Sequence, residues 1–374
     1  MDGVIFGTVI AARILVPLAI PRFPLPAMLA ALVIDGADQT IFQTFTSLDL
    51  DGYQNYDKAL DVYYLSIAYT ATLRNWTHHT AIAVGRFLYY FRLVGVVLFE
   101  VTQIRALLLV FPNTFEYVFD LYEAIRARWD PRRLSDRFVI GAAAVIWIFI
   151  KVPQEWWIHV AQLDATDLLK EVVFGVPHDA SWIDAVSARP IVVVVSAVAV
   201  AALAVAARWL LVHRLPPADH RLIFDADKGQ KPVDPAAVER ERRRLAQRLF
   251  DRELVEKTAL IALVSIIFGR MLPGVDATPL ETAIGIAIII VVNTAITEAL
   301  VRQGASWRSA ITQFVVMLVI NVGIVAVGQA LVSSLTDQRL EHALVFAGLL
   351  TLIVTLYDRY RPIHVARFAA EHHG

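Results

Sequence analysis

Apolar runs such as AAAVIWIFI at 142–150 and IVVVVSAVAVAALAVAA at 191–207 recur along the chain, separated by short charged stretches. No single soluble core could hide them all, so the bilayer is the solvent that this pattern demands. Hydrophobic residues make up 57% of the chain and charged residues 18%, which leaves long runs without the polar alternation of a membrane barrel. The expected fold class is therefore all-α, a polytopic integral membrane helical bundle, since in lipid a helix satisfies its own backbone.

A retained first helix is expected from the N-terminal run, which has neither a basic leader nor a small-residue cleavage pattern. Further apolar segments fall at 24–47, 60–74, 81–111, 114–129, 138–158, 190–212, 258–272, 281–301, 309–332 and 342–357. About nine to eleven membrane segments are expected, with the early ones at 24–47, 60–74 and 114–129 short or broken by acids.

Arginines cluster at Arg126, Arg128, Arg132, Arg133 and Arg137, and again at Arg240, Arg242, Arg243, Arg244, Arg248 and Arg252. The positive-inside rule makes both loops cytoplasmic, and the same alternation leaves the C-terminus, with Arg359, Arg361 and Arg367, cytoplasmic as well. The intervening loop, with Asp164, Asp167, Glu171, Asp179 and Asp184, then lies outside. Only six of the 34 basic residues are lysine, and this arginine-rich usage points to a bacterial plasma membrane. The basic stretch 213–257 divides the chain into a membrane half at 1–212, a linker, and a membrane half at 258–374. In that linker Asp234 and Pro235 form an N-cap and first-turn pair opening a helix whose basic stretch, 240–252, suits anionic lipid headgroups.

Net charge is −1, which offers nucleic acid no bulk attraction, and the bilayer is the partner the composition predicts. Association with further copies is left open by the sequence. The absence of cysteine excludes disulfides, thiolate metal sites and cysteine nucleophiles. No phosphate loop, GxSxG elbow, HExxH helix or dinucleotide fingerprint is present.

Chemistry concentrates in 35–61, DGADQTIFQTFTSLDLDGYQNYDKALD. Asp35 and Asp38 are three apart and Asp57 and Asp61 four apart, so on helices each pair shares a face. Carboxylates that close in a low dielectric need a cation, a shared proton or an arginine. Oxygen ligands without His or Cys favour Mg²⁺ or Mn²⁺ over zinc. Asp49 and Asp51 read instead as turn residues of an aqueous loop.

The spacing DxxD, then DxxxD eighteen residues later, resembles the DxxDGxxAR…GxxxDxxxD signature of the CDP-alcohol phosphotransferases. Asp35, Asp38, Asp57 and Asp61 take the four acidic places. Gln39 stands where the signature has glycine, no Ala-Arg pair follows, and Gly52 lies one residue too far from Asp57. The resemblance implies a divalent metal on those aspartates and transfer at a lipid-linked phosphate.

Arg86, Arg92, Glu100 and Arg105 lie in the next apolar run, and Glu116, Asp120 and Glu123 form a stripe beyond it. Ionisable groups at such depth mark pathways or structural pairs. Three functions are compatible with these residues, and the first is the reading the sequence favours, with the others as alternatives. The first is a transporter or permease whose pathway is lined by Asp35, Asp38, Asp57, Asp61, Arg86, Arg92, Glu100, Arg105, Glu116 and Asp120. The second is a metal-dependent transferase or hydrolase acting on a lipid-linked phosphate, with Asp35, Asp38, Asp57 and Asp61 as ligands. The third is a non-catalytic membrane subunit.

Overall fold

A computed structural model describes residues 2–47, 53–161, 165–213, 216–228, 232–247, 252–271, 312, 314–320, 322–323 and 337–371. At their centre is α3 (Tyr53–Asn75), which is buried from Ala59 to Leu73 at every position but Asp61. Around it lie α1 (Asp2–Leu15), α2 (Pro24–Phe45), α4 (His79–Thr102), α12 (Arg252–Met271) and α13 (Asp337–Glu371). The fold is thus helical, and no strand occurs among the described residues. α13 packs against α3, so this C-terminal helix is built into the N-terminal bundle.

Between these come α5 (Ala106–Val110), α6 (Thr114–Arg126) and α7 (Asp136–Val160), then α8 (Ala165–Leu168), α9 (Trp182–Ala188), α10 (Pro190–His213) and α11 (Pro235–Gln247). Local chemistry explains several boundaries. His78 Nδ1 accepts from the Ala81 amide at 3.3 Å and opens α4, while Ser135 does the same for α7 through Phe138 at 3.2 Å. Asp234 caps α11 by accepting from Ala236 at 3.0 Å, as its position before Pro235 predicts. α7 does not stop at Pro153; it widens into π-helical turns at Ile146–Lys151 and Trp156–Val160, on either side of the residue that cannot donate. α4 ends at Gln103 in the left-handed region, and Gly95 on α4 leaves the space that the Phe111 ring fills.

Four helices are long and apolar enough to cross a bilayer: Asp2–Ala19, Pro24–Phe45, His79–Thr102 and Asp136–Val160. The pair Trp182–Ala188 and Pro190–Ala206, bent by 92°, makes a fifth if it is one broken span. The described residues thus show fewer segments than nine to eleven. Stretch 281–301 and most of 309–332 lie outside them, as do Asp49, Asp51, Arg248, Asn293, Glu298, Arg302, Arg308, Asn321, Gln329 and Gly328. Of the others, α6 has 13 residues and is too short to cross unaided, and α3 is too polar by composition because protein surrounds it in place of lipid. The outward surface agrees with a membrane location: Val33, Phe87, Phe149, Val198 and Leu203 are exposed, and a soluble surface tolerates few such groups together.

The arginine-rich segments gather at one end. The linker 216–228 crosses that end, donating from Asp219 to the Arg128 carbonyl at 3.2 Å, from Ile223 to Ala127 at 2.9 Å and from Ala226 to Arg22 at 2.8 Å. Arg133 pairs with Asp219 at 2.6 Å, and Arg74 pairs with Asp227. Nearby, hydrogen bonding from Arg132 holds the Asp130 carboxyl below the usual carboxylate range.

Candidate functional site

Toward the opposite end of the bundle, α1, α2 and α3 meet at a single guanidinium. Arg13, in the last turn of α1, sends Nη1 to Asp38 on α2 and Asp57 on α3, and Nη2 to Asp35 on α2 and to Asp61 on α3 at 2.8 Å. Each terminal nitrogen therefore bridges the same two helices. The pairing 35 with 61 and 38 with 57 is what antiparallel neighbours require, one helical turn per step. The fork of arginine, with its planar set of donors, suits this four-way contact where a lysine point charge would not.

Charge does not balance. Four carboxylates surround one guanidinium, so the cluster, if fully ionised, holds three negative charges in excess. In a low dielectric that excess is costly without a further cation or bound protons. The side chains of Arg13 and Asp38 are each 3% exposed, whereas Asp35 is 27% exposed and Asp57 and Asp61 are each 38% exposed. The cluster is thus sealed behind Arg13 and Asp38 and open on the side of the other three. On that open side, one carboxylate oxygen from each of Asp35, Asp57 and Asp61 lies within 4.8 Å of the others. Each carboxylate also has a second oxygen, so binding Arg13 through one does not preclude a metal through the other. All donors are hard oxygens, the set that Mg²⁺ and Mn²⁺ take.

A second polar group adjoins the first. Tyr64, one turn along α3 from Asp61, donates to Glu116 on α6 at 2.9 Å, and Asn113 donates to the same carboxylate at 2.6 Å. The Asn113 amide donates to Glu155 at 3.0 Å, which also meets His159 at 3.0 Å and Arg92 at 3.8 Å. Lys151, buried on α7, lies 4.3 Å from the Tyr117 ring centre and donates to Gln154 at 3.0 Å. Lys151 ends the first widened stretch of α7, and Glu155 ends the short α-helical stretch that separates it from the second.

The residues predicted as one pathway therefore separate. Asp35, Asp38, Asp57 and Asp61 converge, and Glu116 and Arg92 belong to the adjoining network, while half-buried Asp120, one turn from Glu116 on α6, keeps a buried oxygen without a hydrogen-bond partner among the described residues. Arg86 is elsewhere, 3.4 Å from Glu256 near the basic end; Glu100 faces Lys58 at 3.8 Å; Arg105 is exposed ahead of α5. Asp57 and Asp61 serve Arg13, and not the arginines of α4. Sequence reasoning missed Arg13, although a lone charge in the apolar run GVIFGTVIAARILVPLAI is a signal of its own. It also missed Tyr64 and Lys151, whose roles depend on which helices become neighbours.

No family model, no curated protein and no solved structure matches the chain.

Proposed function

We propose that this protein is a membrane-embedded enzyme that uses Mg²⁺ or Mn²⁺ at Asp35, Asp57 and Asp61 to act on the phosphate of a lipid-linked substrate. The observation that carries this reading is the convergence of four carboxylates from two helices on one arginine, half open on one side and short of positive charge. A divalent ion there offsets the excess charge and draws a phosphate oxygen to the same place. Asp38, sealed beside Arg13, holds the arginine in position, and the more exposed aspartates are placed to hold the ion and to accept a proton from an attacking hydroxyl. The four acidic places of the phosphotransferase signature are the four that meet, which supports the transferase or hydrolase reading over a pathway strung along the bundle.

Transport is the second reading, and one observation favours it. The titratable groups Tyr64, Glu116, Glu155 and His159 continue from the aspartates across α6 and α7, as a proton relay would.

Mn²⁺ titrated into the detergent-purified chain, followed by electron paramagnetic resonance, tests the proposal. Saturable binding is expected, weakened about tenfold or more in Asp61→Asn, together with EDTA-sensitive release of phosphate or headgroup from added bacterial lipids. An Mn²⁺ signal indifferent to the protein overturns the metal site. Binding without lipid turnover, accompanied by Glu116-dependent proton uptake in proteoliposomes, selects transport instead.

A further inference from the structure

At the basic end, about 20 Å along α3 from Asp61 by helical rise, a cavity of about 570 Å³ opens between α11, α13 and the linker. Four arginines line it, Arg74, Arg242, Arg359 and Arg367, against two acids, Asp227 and Glu239. Arg359, Ile363 and Arg367 recur every four residues and so share one face of α13. Val238 and Ile363 give the cavity apolar wall.

The arginines are not equally engaged. Arg74 binds Asp227 and the Pro21 carbonyl, and Arg367 donates to the carbonyls of Trp76 at 2.9 Å and of Arg74, closing the C-terminal end of α3. Arg242 is paired with Glu239 at 3.3 Å, and Glu239 is shared with Arg243 at 3.3 Å. Arg359 has no ion pair or hydrogen bond among the described residues, and its chain neighbour Asp358 is held by Lys257 at 2.7 Å. Two guanidiniums therefore exceed the acids of the lining, and one of them, Arg359, lines the cavity with no partner among the described residues.

We propose that this cavity binds a phosphate-bearing anion, through Arg359 and Arg242, with the glycerol or other uncharged portion against Val238 and Ile363. Guanidinium forks match phosphate oxygens two at a time, and the volume lies within the range of small-molecule sites. Two sources share this chemistry: the headgroup of an anionic phospholipid and a soluble phosphate compound. The site is distinct from the aspartate cluster and needs no metal.

Calorimetric titration of the full chain in detergent, with EDTA present so that the aspartates bind no metal-bridged phosphate, tests this. The titrants are dihexanoyl-phosphatidylglycerol, pyrophosphate and, as control, dihexanoyl-phosphatidylcholine. Saturable binding of at least one of the first two is expected, weakened about tenfold or more by Arg359→Gln and tightened by Glu239→Gln, which frees Arg242. Phosphatidylglycerol alone identifies a headgroup site and pyrophosphate alone a soluble phosphate site. The proposal is overturned if neither anion binds, if phosphatidylcholine binds as well, or if Arg359→Gln binds like the parent. Should Arg359→Gln fail to fold, an affinity unchanged by Glu239→Gln overturns it equally, because misfolding does not tighten binding.

Discussion

Arg13→Met is expected to lower stability by about 3–5 kcal/mol, the cost of removing one partner from a buried ionic group. Methionine keeps the apolar stem of arginine and lacks its guanidinium, so packing around the stem is retained and the charge at the head is lost. Without the guanidinium, Asp35, Asp38, Asp57 and Asp61 face one another with nothing to bridge α2 and α3. Adding Asp38→Asn in the same chain returns the formal charge of the cluster to that of the parent, and part of the lost stability should return with it. Mn²⁺ should raise the thermal midpoint of Arg13→Met more than that of the parent, because the ion then replaces a missing cation as well as balancing the excess. Midpoints in detergent, with EDTA or with Mn²⁺, report all three. If Arg13→Met unfolds like the parent with EDTA present, Arg13 does not hold the cluster and the charge argument fails.

The same arithmetic shows what the sequence could reveal. Asp35 with Asp38, and Asp57 with Asp61, were legible because helical spacing alone puts each pair on one face, and their apolar surroundings made their charge conspicuous. That the two pairs meet depends on α2 and α3 lying antiparallel in one register, a tertiary fact that spacing does not contain. The helical, apolar character of α1, α4 and α7 is legible from hydropathy, whereas 24–47, expected to be short or broken by acids, forms the single 22-residue helix α2, long and apolar enough to cross a bilayer. On sequence α3 reads as a short segment broken by acids, and its hydroxyl residues Ser66, Thr70 and Thr72 add to its poor match to lipid. They never meet it: Ser66 binds the Val62 carbonyl and the Tyr89 hydroxyl, and Thr70 and Thr72 bind carbonyls of their own helix. A helix enclosed by other helices escapes the hydropathy criterion for that reason. On sequence Arg86 and Arg105 join the pathway through their place in an apolar run, but Arg86 pairs with Glu256 on α12 and Arg105 is exposed ahead of α5.

Trp76 supplies the other large expected effect, because it ties the far end of α3 to α6. Its side chain is fully buried, stacked 4.1 Å from the Tyr122 ring and 5.9 Å from that of Phe119, and its Nε1 donates to Glu123 at 2.9 Å. Gly85 makes room for it, since a Cβ there would sit 3.0 Å from the indole. Trp76→Ala removes the ring and the donor together and should cost about 3–5 kcal/mol. Trp76→Phe keeps most of the stacking and loses only the donor, for about 1–3 kcal/mol. Glu123 would still be held by Arg126 at 2.5 Å, so Trp76→Phe combined with Glu123→Gln should cost less than the two changes added. Equal losses from Ala and Phe would instead assign the anchor to the hydrogen bond and not to the packing. The consequence reaches the aspartates, because Trp76 follows directly on the last residue of α3 and Asp57 and Asp61 lie toward the helix's other end. If a rigid α3 transmits that anchoring, Trp76→Ala should weaken Mn²⁺ binding while Trp76→Phe leaves it near that of the parent. If both variants bind Mn²⁺ like the parent, Arg13 alone sets the geometry of the cluster.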